Sequence, residues 1–322
     1  MRRFSILCLV LILTVSSLTG CGTSSASASE ETESLRVVTT IFPVYDWTRE
    51  ILAGSDDTSL IFLADDGVDM HSFQPTVEDI LNISTCDVFI YVGGESDQWV
   101  EDALQGAVNE EMQVINLMDV LGEKVQEEEI VEGMEGEEDD GEEAEYDEHI
   151  WLSLRNAETL SGVIAEAMAE IDPEQAELYA KNAVSYAEKL SALDASYQEV
   201  VDTSAQNTLL FGDRFPFRYL VDDYGLSYYA AFAGCSSETE ASFETIVFLA
   251  GKVDELGLGS ILTIENSDQT IATAIQQNTQ DKSQRILMMH SMQSVTLEEA
   301  EDSTTYLSLA EENLEVLREA LK

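Results

Sequence analysis

From Leu35 onward, short apolar runs alternate with amphipathic stretches. Residues 36–41, 59–63, 88–92 and 113–116 are rich in β-branched and aromatic side chains and predict four strands. Between them, 44–53, 76–82 and 99–107 predict helices. The second half repeats the alternation. Strands are predicted at 208–211, 227–232, 260–263 and 286–289, and helices at 217–223, 240–256, 268–279 and 304–321. Strands interleaved with helices imply βαβ units and parallel sheets.

The two halves are separated by helical signal. Residues 157–171 predict one helix, followed by the longest helical pattern in the chain. Asp172 suits its N-cap and Pro173 its first position. Apolar residues then recur at Ala176, Tyr179, Ala183, Tyr186, Leu190, Leu193, Tyr197 and Val200, the three-and-four spacing of one buried helix face. About thirty residues at ~1.5 Å each make a rod of roughly 45 Å. The expected architecture is therefore α/β: two lobes, each with a central, mostly parallel sheet flanked by helices, joined by one long backbone helix. The N-terminal lobe is placed at 35–171, the linking helix at 172–204 and the C-terminal lobe at 205–322.

One segment fits neither pattern. Fourteen of the twenty-two residues in 127–148 are Asp or Glu, three are glycine and none is basic. Such a composition supplies no core and predicts a mobile surface loop, either a solvated spacer or a funnel for cations. The whole chain is acidic too, at a formal charge of −49. That balance disfavours nucleic acid and anionic membrane and favours cations.

The first twenty residues read as an export signal. Arg2 and Arg3 precede an apolar core, residues 4–15, that is too short for a stable membrane span. Leu18-Thr19-Gly20-Cys21 is similar to a bacterial lipobox, which makes Cys21 a lipidation site and residues 21–34 a flexible tether. The expected location is extracytoplasmic, lipid-anchored to the cell membrane. Cys86 and Cys235 lie in different lobes and are expected as buried free thiols.

The candidate chemistry lies in three histidines, His71, His149 and His290, the only ones in the chain. His71 follows a strand and its loop, His149 follows the acidic run, and His290 ends a strand. Ligands of open α/β sheets bind outside the carboxyl ends of strands, so two facing edges can gather the imidazoles on one Zn²⁺. Scattered surface or capping histidines are the other reading of the same spacing.

The chain resembles the substrate-binding lipoproteins of zinc and manganese ABC transporters over its mature length. The matching segments are Thr40-Ile41-Phe42-Pro43, Gly67-Val68-Asp69-Met70-His71-Ser72-Phe73-Gln74-Pro75-Thr76, Glu148-His149-Ile150-Trp151-Leu152-Ser153 and Tyr224-Gly225-Leu226. The resemblance implies His71 and His149 as metal ligands. At the family's third ligand position stands Arg214, which offers only donors and cannot bind a metal. At the fourth, normally Asp or Glu, stands His290. We therefore expect His290 to supply the second lobe's imidazole. Glu265 is expected first as the partner of Arg214 and second as a ligand, with Asp213 a further contributor.

Three imidazoles with at most one carboxylate favour Zn²⁺ over Mn²⁺. The expected function is a zinc-binding lipoprotein, not an enzyme, that delivers the ion to the permease and ATPase of an ABC importer as a monomer. The alternatives are a manganese-binding member of the same family, a surface zinc-dependent hydrolase, or an adhesin. No His-Glu-x-x-His pair supports the hydrolase.

Overall fold

Eight strands fall into two four-stranded parallel sheets in the computed structural model, which describes residues 34–55, 57–135, 146–236 and 240–322. The expected signal peptide, Cys21 and all of the tether but its last residue lie outside the described residues. The first sheet holds β1 (Leu35–Thr39), β2 (Thr58–Phe62), β3 (Val88–Tyr91) and β4 (Gln113–Asn116) in the order β2-β1-β3-β4. The second holds β5 (Thr208–Phe215), β6 (Ser227–Ala233), β7 (Ser260–Thr263) and β8 (Arg285–Met288) in the order β6-β5-β7-β8. Helices cover these sheets, so the interior strands are apolar on both faces. Val37, Val38, Val88, Phe89 and Ile90 are all fully buried.

The first lobe carries α1 (Phe42–Leu52), α2 (Val77–Thr85), α3 (Trp99–Gln105), α4 (Leu117–Leu121) and α5 (Leu154–Ile171). After α6 (Ala176–Thr203) come α7 (Arg218–Tyr224), α8 (Phe243–Leu256), α9 (Thr270–Asn278), α10 (Leu297–Asp302) and α11 (Tyr306–Ala320). Local chemistry sets several of these ends. A Thr76–Asp79 capping box starts α2, and Ser242 caps α8, which stops at Gly257 in the left-handed region at φ +66°. The closing helix expected at 304–321 is α11, started by a Thr305–Ser308 capping box; α10, which the sequence pattern did not predict, precedes it behind a capping box of its own, Thr296 with Glu299.

The linking rod is α6, 28 residues long and so about 42 Å. It packs against α1, α5, α7 and α11 through Tyr179, Tyr186, Leu190, Leu193, Tyr197 and Val200. Tyr197 donates its hydroxyl to the Ala310 carbonyl of α11 at 2.6 Å. The start of the rod differs from expectation. Asp172 closes α5, residues 173–175 form a turn, and α6 begins only at Ala176. The Asp172 carboxylate instead accepts the Tyr179 hydroxyl at 2.9 Å. One continuous hydrophobic core runs from Leu35 to Leu321 through both sheets, with a smaller cluster around Leu210, Phe232 and Leu249.

The acidic run also departs from the loop expected of it. Its first nine residues, 127–135, are anchored on the second sheet. Glu135 forms a parallel bridge with Phe232 of the edge strand β6, Glu129 pairs with Arg218, and Glu128 accepts the Cys235 N–H at 3.0 Å. Glu127 bridges Tyr146 across the loop's base. Backbone pairing and ion pairs hold these residues where composition alone supplies no core. The rest of the run, 136–145, lies outside the described residues.

Candidate metal centre

His71 sits in a one-turn 3-10 helix, Met70–Ser72, after β2, and Asp69 fixes that turn by accepting the His71 N–H at 3.0 Å. His149 precedes a second 3-10 turn, Ile150–Leu152. Its backbone N–H and ring Nδ1 both bond Asp147 Oδ1, at 2.8 and 2.9 Å. Trp151 holds that turn in place by donating its indole N–H to the Ser291 carbonyl at 2.8 Å. The two rings meet with their Nε2 atoms 3.2 Å apart.

A carboxylate only accepts, so Nδ1 of His149 carries a proton, and in the neutral ring Nε2 presents a lone pair. His71 Nδ1 likewise faces Ser96 Oγ at 2.8 Å and Glu148 Oε2 at 3.6 Å. That carboxylate oxygen is buried and has no hydrogen-bond partner among the described residues, which favours N–H at Nδ1 of His71 too. Two lone pairs then converge on one point. Nitrogens each ~2.05 Å from a tetrahedral Zn²⁺ are roughly 3.3 Å apart, so the observed spacing fits one shared ion. Carboxylates or hydroxyls behind ligating imidazoles fix tautomer and orientation.

Burial, then the neighbouring His149, depress His71 to about 4. For His149, burial opposes the charge, but the Asp147 carboxylate outweighs it and holds the pKa above the ordinary value. At neutral pH His71 is thus a free base, ready to coordinate.

A third donor reaches the same place. Cys235 Sγ and the two imidazoles offer ligand atoms that all lie within 4.8 Å of one another. Cys235 follows β6 in a turn that also presses Gly234 onto His149. A Cβ on Gly234 would lie 2.9 Å from the Phe215 carbonyl and 3.0 Å from His149 Cε1, so only glycine lets the turn come this close. Burial, then the carboxylates of Glu128, Asp147 and Glu148, push the thiol's pKa up, so the metal-free protein keeps it protonated. Cys235 therefore differs from the buried packing thiol expected of it; the sequence signal for a site role is its position just after the carboxyl end of a strand.

His290 does not join the group. Its Nδ1 accepts the Met292 N–H at 2.9 Å and lies 3.5 Å from Glu265, and it faces a neighbouring cavity of about 450 Å³. The reason is strand order. His290 follows β8 and Cys235 follows β6, three inter-strand spacings apart, or ~14 Å. Arg214 does not pair with Glu265 either. It reaches across to Asp69 of the first lobe at 2.7 Å, while Glu265 accepts the N–H and hydroxyl of Ser291. Asp213 accepts the backbone N–H of Arg214 at 2.9 Å. His71, Asp69, Arg214, Asp213, Glu265 and Cys235 all line one cleft cavity of about 620 Å³.

Two parallel α/β lobes on a long helix, with a largely buried imidazole pair at the cleft, define a two-lobed binding fold with a candidate metal centre. The chain belongs to the family described as zinc-uptake complex component A, periplasmic, which matches residues 37–320. It is 29% identical over 289 residues to the zinc-binding lipoprotein AdcA of Streptococcus pneumoniae, covering 88% of this chain and 55% of that protein. The chain thus spans about half the length of the AdcA relatives it matches. It is 26% identical to the high-affinity zinc uptake system protein ZnuA of Bacillus subtilis, covering 94% and 92% of the two chains. Among solved structures, the Zn(II)-bound ZnuA-like domain of S. pneumoniae AdcA superposes with a TM-score of 0.70 at 26% identity, covering 89% of this chain and 98% of that one. The metal-dependent lipoprotein YcdH of B. subtilis does so at 0.72 and 25%, covering 89% and 99%.

Proposed function

We propose that this protein captures Zn²⁺ outside the cytoplasm and hands it to the permease and ATPase of a membrane ABC importer. The observation that carries the reading is the imidazole pair. Two Nε2 atoms 3.2 Å apart, each ring tethered from behind, need a cation or a shared proton between them. The acidic surface, formally −49, draws cations toward such a cleft. Relatives named as zinc-binding and zinc-uptake proteins support the same cargo. Borderline nitrogen donors favour Zn²⁺ over Mn²⁺, which ranks the manganese reading second.

In this reading the protein is a binding component, not an enzyme, and works as a monomer held at the membrane by lipid on Cys21. Residues 1–20 are its signal, 21–34 its tether, and 35–171, 172–204 and 205–322 its lobe, linking helix and lobe. Asp147 and Ser96 orient the two imidazoles, and Asp147 and Glu148 offset the charge of the bound ion. Calorimetry on chelator-stripped protein tests the core of it. One Zn²⁺ should bind per chain, in preference to Mn²⁺, and the absence of any zinc heat would overturn the reading.

A further inference from the structure

We propose that Cys235 is the second lobe's ligand, so that zinc is held by two imidazoles and one thiolate. The inference rests on the zinc-capture reading above and deepens it. It also replaces the expectation that His290 fills this role. The three ligand atoms already lie within 4.8 Å of one another, and both imidazoles belong to the first lobe. Without a donor from the second, the ion would be bound by one wall of the cleft only.

The turn that carries Cys235 is held on two sides. Its own N–H donates to Glu128 Oε1 at 3.0 Å, and Gly234 lies against the His149 ring. On binding, the S–H bond breaks, a Zn–S bond forms, and the proton leaves to solvent. Arg214 is tied to Asp69 at 2.7 Å, which keeps its charge on a carboxylate beside the site. Two nitrogens and one sulfur leave a fourth position for water or a cleft carboxylate. Thiolate is a soft donor, so the set discriminates against Mn²⁺ more strongly than imidazoles and carboxylates would.

Cobalt reports the donor atoms directly. Metal-stripped protein loaded with Co²⁺ should show a near-ultraviolet sulfur-to-cobalt charge-transfer band beside tetrahedral visible bands. In Cys235→Ser the charge-transfer band should vanish while visible bands persist, and zinc affinity should fall at least about 100-fold. Equal melting of both proteins in chelator would confirm that the variant folds. Wild-type protein that binds Co²⁺ without the charge-transfer band overturns the thiolate and leaves zinc capture standing. A band that survives in Cys235→Ser overturns it equally. Wild-type protein that takes up neither Co²⁺ nor Zn²⁺ overturns both readings.

Discussion

Two imidazoles face each other in a buried site, and the residues behind them decide what they can hold. His149 is fully buried and tied twice to Asp147, so it has little freedom to turn away. His149→Ala should therefore lower zinc affinity at least about 100-fold in chelator-competition titrations. His290→Ala should change it by less than about twofold, because substitutions this far apart seldom couple. A large loss in the second variant would return His290 to the ligand set. Gly234→Ala should be harmful although it adds one methyl group. With the Phe215 carbonyl at 2.9 Å and the His149 ring at 3.0 Å, the turn or the ring must shift. About 1–3 kcal/mol of stability should be lost, read as a lower denaturant midpoint, together with weaker zinc binding. Unchanged values for both would mean the turn relaxes freely.

At the scale of elements, the loops that follow strands do the chemical work, and the short connection from β3 to α3 shows what holds one in place. Asp97 is buried there and accepts the Gly93 N–H at 2.9 Å. Burial, with Glu148 nearby, raises its pKa to about 7. A raised folded pKa contributes stability that is fully present below the ordinary carboxyl range and is lost as pH rises through about 7. Urea melts of the metal-free protein at pH 5 and pH 8.5 should show that loss, on the order of 2–4 kcal/mol at most. Asp97→Asn should flatten the difference between the two pH values. An identical slope in the variant would remove Asp97 as its source. The element pattern itself was largely readable from periodicity, since β-branched runs and capping residues are local signals. The misplaced start of α6 was not, because Asp172 serves the end of α5 and Tyr179 instead of a cap.

Across the whole molecule, α6 and the continuous core tie the lobes together. The helix packs on α1 and α5 on one side and on α7 and α11 on the other, and the core passes through both sheets. A wide hinge closure would have to tear that packing open. Solution scattering should thus give the same radius of gyration with and without zinc, with any change confined to the cleft loops. A clear contraction on zinc binding would show that the rod bends. The Arg214–Asp69 pair spans the lobes as well, but each side chain is about a fifth exposed, so Arg214→Met should cost no more than about 1 kcal/mol in denaturant melts. A larger cost would make this pair a main tie between the lobes.

Periodicity and caps fixed two α/β halves and a long apolar-striped helix between them, because those signals lie within a few residues of one another. The segments around His71 and His149 were also legible, since each carries its own turn and its own orienting residues nearby in the chain. Strand order was not. It places the end of β6, not β8, opposite the first lobe's histidines, so Cys235 arrives at the site and His290 stays beside Glu265. Which strand edge faces the cleft depends on packing between residues some eighty positions apart, and no local pattern encodes it.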